Sequence, residues 1–183
     1  MHELRHFLRA ATRDEHARVD AAFSRFDLNR RAGYGGFLSA QARVLPALEA
    51  KITAAGLWEA WSPRAPALFA DLADLGRGAE APPIAVDLPT DAELWGALYV
   101  VEGSRLGGAI LAGRVSPEFP KRFLLGGGPG WLVFQDAMAG APSFATPTGP
   151  AQLLAGARKA FAAFEAAGLA ELGEDIEPRR RIA

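Results

Sequence analysis

The chain contains no cysteine. That single absence excludes disulfides, a thiolate nucleophile, iron–sulfur ligation and cysteine-based zinc sites. Histidine is almost as scarce: His2, His6 and His16 are the whole supply, so any chemistry needing several imidazoles is confined to one N-terminal segment. Neither sign of charge is in excess, with 20 basic against 21 acidic residues. The electrostatic footprint of a nucleic-acid binder or a polybasic membrane-surface protein is therefore missing. Long apolar runs are missing as well. The opening stretch "MHELRHFLRAATRDEH" carries charges every few residues where a secretion signal needs an unbroken apolar segment, and no run elsewhere approaches a membrane span. The balanced charge and the lack of apolar runs predict a soluble, cytoplasmic protein with no nucleic-acid or membrane partner; a monomer is expected.

What the chain does have is alanine and leucine in abundance, with valine and isoleucine sparse and no sustained apolar/polar alternation. That composition favours helix over strand nearly everywhere and predicts an all-α fold. A length of 183 residues suits one domain, 1–183, with the charged tail 174–183 expected to fray.

Apolar spacing predicts a first amphipathic helix from Leu4 to about Phe26. A second is expected from about Arg31 to Ala55, capped by Asn29 and kinked at Pro46. A short helix is expected over 65–75, followed by a proline- and glycine-rich linker, "GRGAEAPPIAVDLPT". Thr90 and Glu93 have capping-box spacing ahead of an apolar run to about Val115. Short helices are expected near 117–124 and 131–139, and a last long one from Pro150 to Leu172.

His2 and His6 stand one helical turn apart at the terminus and read as solvent-exposed. His16 is different, because it shares a helical stripe with Leu8, Thr12, Val19 and Phe23 and is expected to face inward. Asp20, at i+4, is placed to accept a hydrogen bond from one ring nitrogen and aim the other outward. Arg9, at i−7, returns to nearly the same helical angle about 10.5 Å along a straight axis. Arg5 and Arg13 flank that face.

The run "LYVVEGSRLGGAIL" reads as a helix yet carries Gly103, Gly107 and Gly108. Each interior glycine costs about 1 kcal/mol relative to alanine. Gly96, Gly103 and Gly107 lie near one face, and small residues at that spacing most often serve close helix packing. The adjacent Gly107-Gly108 pair suggests a kink with backbone laid against a ligand.

Together, "LRAATRDEHARVDAAF" (8–23) and "GALYVVEGSRLGGAILA" (96–112) resemble the first-helix signature and the distal helix of heme oxygenases of the bacterial, biliverdin-producing type. The resemblance implies a multi-helix bundle holding heme between the first helix and a kinked, glycine-rich distal helix. It matches His16 with the axial ligand to the heme iron, Asp20 with its hydrogen-bond partner and Arg9 with a cation that holds a propionate. Gly103 and Gly107 match the distal glycines, Gly108 beside them is expected against the heme, and Phe161 matches a residue lining the pocket. The implied activity is oxidative cleavage of heme, at once substrate and cofactor, to biliverdin, carbon monoxide and ferrous iron. Dioxygen and an external electron donor such as a ferredoxin or a reductase would be required, and a photoreceptor is one acceptor for biliverdin.

Two departures stand out. Ser104 occupies the position where animal enzymes carry an aspartate that orders distal water. Propionate-binding cations before the last helix are unmatched, leaving Lys121, Arg122 or Arg158 as substitutes. Two other readings compete: a non-catalytic heme-binding or heme-sensing protein of the same fold, and a helical interaction domain in which His16 is a core residue and the glycines are packing contacts.

Overall fold

The computed structural model describes residues 2–78 and 82–174, the side chains of 2–5 and 174 excepted. Arg5's side chain and the tail expected to fray beyond Glu174 therefore lie outside the described residues. Among those described, every regular element is helical: α1 (His2–Ala11), α2 (Arg13–Phe23), α3 (Arg31–Ala42), α4 (Leu45–Ala55), α5 (Ala65–Asp74), α6 (Asp91–Ala112), α7 (Arg122–Leu125), α8 (Trp131–Ala139) and α9 (Gly149–Glu174), with a 3₁₀ turn at Pro142–Ala145.

The centre of the fold is the crossing of α6 and α9. Glycines let the two backbones touch: a Cβ on Gly96 would overlap the Leu153 carbonyl, and one on Gly156 would overlap the Glu93 carbonyl. The small-residue explanation thus holds for Gly96, with Gly156 as its counterpart. Thr90 caps α6, its hydroxyl accepting from the Glu93 N–H at 3.2 Å. The Glu93 carboxylate does not reach back to complete a capping box. It pairs instead with Lys159 of α9 at 3.0 Å. α2 and α3 also pack on α9, α4 packs on α6, and α5 packs on α3.

Two of the expected long helices are interrupted. The first breaks at Thr12, whose hydroxyl donates to the Leu8 carbonyl at 2.7 Å beside its own N–H at 2.9 Å. Threonine bonding back to the preceding turn bends a helix. The second breaks before Pro46 rather than kinking at it, because proline lacks an N–H and its ring crowds the carbonyl of residue 42; Pro46 lies in the first turn of α4. Asn29 does not cap α3. Arg30 holds that position, and the Asn29 N–H bonds the Asp27 carboxylate at 3.1 Å in a local turn.

The described part of the linker after α5 is irregular, as its prolines predict, but it is pinned. The Ile84 N–H bonds the Arg43 carbonyl at 2.6 Å, Lys51 donates to the Val86 carbonyl at 2.8 Å, and Val86 and Leu88 are buried.

Candidate functional site

His16 sits on α2 with Nδ1 3.0 Å from the Asp20 carboxylate. That contact occupies one ring nitrogen and directs Nε2 away from the carboxylate, the arrangement expected from their spacing. The ring meets Phe161 of α9 edge to face, centroids 5.8 Å apart. One expectation fails: His16 does not enter the core, for its side chain is 63% exposed. The stripe through Leu8 and Thr12, both buried, was projected along a straight helix, and the break at Thr12 ends that projection. Arg9 is exposed on the other side of the same break, so its straight-axis spacing from His16 does not carry over.

α2 is clamped to α9 by polar contacts on either side of His16. Arg158 pairs with Glu15 at 3.0 Å and donates to the Ala11 carbonyl at 3.1 Å, and Arg18 pairs with Glu165 at 3.0 Å. Surface pairs of this kind add little stability, but they fix the orientation of the helix that carries the histidine. α6 shares the same support. Both helices pack on α9, yet they make little contact with each other.

The glycines of α6 divide into two kinds. Gly108 is a packing glycine: a Cβ there would overlap the Leu124 carbonyl, so its matched place beside a ligand is not the surface it presents. A Cβ on Gly107 would meet nothing within 4 Å, and one on Gly103 would only touch the Trp131 ring at 3.9 Å. Leu106 and Ile110, which continue this face, are 54% and 74% exposed. The pair does not interrupt the helix, which runs unbroken from Asp91 to Ala112 and so ends short of Val115. The result is an apolar helix face left bare by missing side chains rather than by broken backbone.

Behind that face lies a buried polar cluster that sequence reasoning missed. Arg64, 5% exposed, donates from Nη2 to the Ser104 hydroxyl at 2.6 Å and to the Val101 carbonyl at 3.1 Å. Glu49 spends both carboxylate oxygens on the N–H groups of Arg64 and Ala65, at 2.8 and 2.7 Å, at the start of α5. Burial holds the Glu49 carboxyl above the usual carboxylate range. Burial first, and Arg105 second, lower the Arg64 pKa to about 10. Arg105 itself pairs with buried Glu102 at 2.8 Å and reaches the Ser62 and Gly127 carbonyls. No local pattern announces Arg64, because Ser104 lies far along the chain.

The substitute cations are committed elsewhere. Lys121 donates to the Ala112 and Val115 carbonyls at 3.1 and 2.9 Å and closes the end of α6. Arg122 bridges Asp71 and Asp74 at 3.0 and 2.7 Å, and Arg158 is part of the α2 clamp. His6 is exposed, and no cluster of three or more metal-ligating side chains occurs among the described residues.

This helical architecture, with its histidine helix and its bare glycine helix resting on one long helix, is the heme oxygenase fold, and the chain is similar to that family over nearly its whole length. Among the solved structures that it matches is the NO- and CO-bound heme oxygenase of Neisseria meningitidis, at a TM-score of 0.78 and 26% identity, covering 93% of this chain and 92% of that one. No family model and no curated protein matches the sequence. No helix among the described residues is long and apolar enough to cross a membrane.

Proposed function

We propose that the protein is a heme oxygenase, cleaving heme to biliverdin, carbon monoxide and ferrous iron with dioxygen and electrons from an external donor. What carries this reading is that α9 supports both an outward imidazole, held by Asp20 and Phe161, and an α6 face on which Gly103 and Gly107 present bare backbone. Those residues would suit heme, offering a nitrogen ligand and an apolar helix surface whose open places a Cβ would fill.

Heme when bound would supply a redox-active iron and be itself the ring that is opened. The chain's contribution is orientation. Asp20 would hold Nδ1 so that His16 could offer Nε2 to the iron. Phe161 limits rotation of the imidazole. Gly103 and Gly107 would let backbone approach closely, and Leu106 and Ile110 keep that side apolar. Arg9, exposed on α1, is the cation proposed for a propionate.

Titration with hemin tests the reading. The wild-type protein is expected to develop a Soret band at one equivalent, and His16→Ala to lose or strongly shift the ferric spectrum. An unchanged spectrum in that variant removes the assignment of His16 as a ligand to the iron. A non-catalytic heme-binding protein would share this result and is separated by turnover.

A further inference from the structure

The bare face of α6 is walled at one end and open at the other. The outer ring of the Trp131 indole stands beside Gly103, with Cη2 and Cζ3 each 3.9 Å from the place a Cβ on that glycine would take. One helical turn further on, a Cβ on Gly107 would meet nothing within 4 Å, and Leu106 and Ile110 are exposed.

Trp131 is held in place from behind. It opens α8, and its ring centroid lies 5.7 Å from that of Tyr99, one turn before Gly103 on α6, and 5.4 Å from that of Phe134. Phe134 is fully buried and in turn meets Trp58 at 5.5 Å and Trp95 at 6.1 Å. A ring backed by such a cluster cannot swing aside without displacing close-packed neighbours. The indole itself is only partly buried, so its outer edge borders whatever lies on the face.

We propose that Trp131 is a positioning residue that sets the in-plane orientation of the macrocycle on the α6 face, and with it which meso carbon is cleaved. The inference rests on the heme reading. A rigid ring at the Gly103 end and open space at the Gly107 end make the face asymmetric, so a flat ligand is stopped on one side and admitted on the other. The edges of heme carry different substituents, and its rotational placements therefore differ in their contact with the indole. A steric wall selects among such placements by penalising the ones that overlap it.

The atoms that form the wall belong to the outer indole ring. Trp131→Phe removes them while keeping an aromatic ring for Tyr99 and Phe134, Trp131→Leu removes the aromatic ring altogether, and Trp58→Phe disturbs the same cluster through Phe134 with the wall left in place. The readouts are the hyperfine-shifted heme-methyl resonances of the ferric hemin–cyanide complexes, the ratio of biliverdin isomers formed under reduction, and thermal unfolding of the ligand-free proteins. Both Trp131 variants are expected to change the methyl-shift pattern and to raise the share of minor isomers relative to the main one at least about threefold, since a lost apolar contact changes selectivity by this much or more. Trp58→Phe is expected to lower the unfolding temperature and leave the pattern and the ratio as in wild type. If Trp131→Leu fails to fold, Trp131→Phe carries the comparison, and the methyl resonances report orientation even without turnover. Trp131 variants with lowered unfolding temperature but the wild-type pattern would make the indole merely structural and overturn the proposal, as would an equal change of pattern in Trp58→Phe. A wild-type protein that forms no Soret band would instead defeat the heme reading, and this proposal with it.

Discussion

Gly107 and Gly108 are neighbours with opposite surroundings, and replacing each by alanine separates a ligand-facing glycine from a packing one. At Gly107 a Cβ meets nothing within 4 Å, so Gly107→Ala gains helix propensity without a clash. The expected gain is about 0.5–1 kcal/mol, or roughly 1–4 °C in unfolding temperature for a chain of this size. At Gly108 the Cβ would overlap the Leu124 carbonyl, and backbone cannot rotate away as a flexible side chain can. Gly108→Ala is therefore expected to lose about 1–3 kcal/mol through overpacking. The assays are thermal unfolding of the ligand-free proteins and hemin titration of both. Gly107→Ala should be more stable than wild type yet bind hemin more weakly or show an altered ferric spectrum, because its methyl group enters the space proposed for the macrocycle. A Gly107→Ala protein that is destabilised, or that is stabilised with unaltered hemin binding and spectrum, would refute this reasoning.

Other consequences are as direct. Gly96→Ala and Gly156→Ala, each driving a Cβ into a carbonyl of the opposite helix, should cost about 1–3 kcal/mol or more by urea unfolding, and the two losses should not add, since both separate the same pair of backbones. Asp20→Asn should leave ligand-free stability nearly unchanged, because the pair is exposed, while weakening hemin affinity about 10-fold or more through loss of the carboxylate partner. Burial raises the Tyr34 phenol above its ordinary value of 10.0. The unfolded chain therefore ionises first, and this group's contribution is fully present below pH 10 and falls as pH rises above it. Tyr34→Phe, which leaves the Pro120 carbonyl without its 2.8 Å donor, should lose about 1 kcal/mol at neutral pH and show a flatter decline in urea midpoint between pH 9 and 11.

Periodicity and capping signals made much of the fold legible: α5, α8 and α9 stand within a few residues of their expected bounds, and α6 starts where Thr90 signals it. The His16–Asp20 contact followed from i+4 spacing alone. What sequence could not give was set by interactions a linear pattern does not encode. Thr12 can sit in a helix or bend one, and which it does depends on its bond to Leu8. Gly107 and Gly108 are identical residues whose difference is the position of Leu124. Arg64 meets Ser104 only because α5 begins beside α6, so the polar cluster behind the candidate site was invisible until the helices were placed.

The claim that this chain opens the heme ring is tested most directly by an absorption time course of the purified protein with one equivalent of hemin, a competent electron donor, air and catalase to remove free peroxide. The account predicts a Soret band that forms and then decays into the spectrum of biliverdin. A Soret band that persists under reduction would contradict it and leave a heme-binding protein on the same fold.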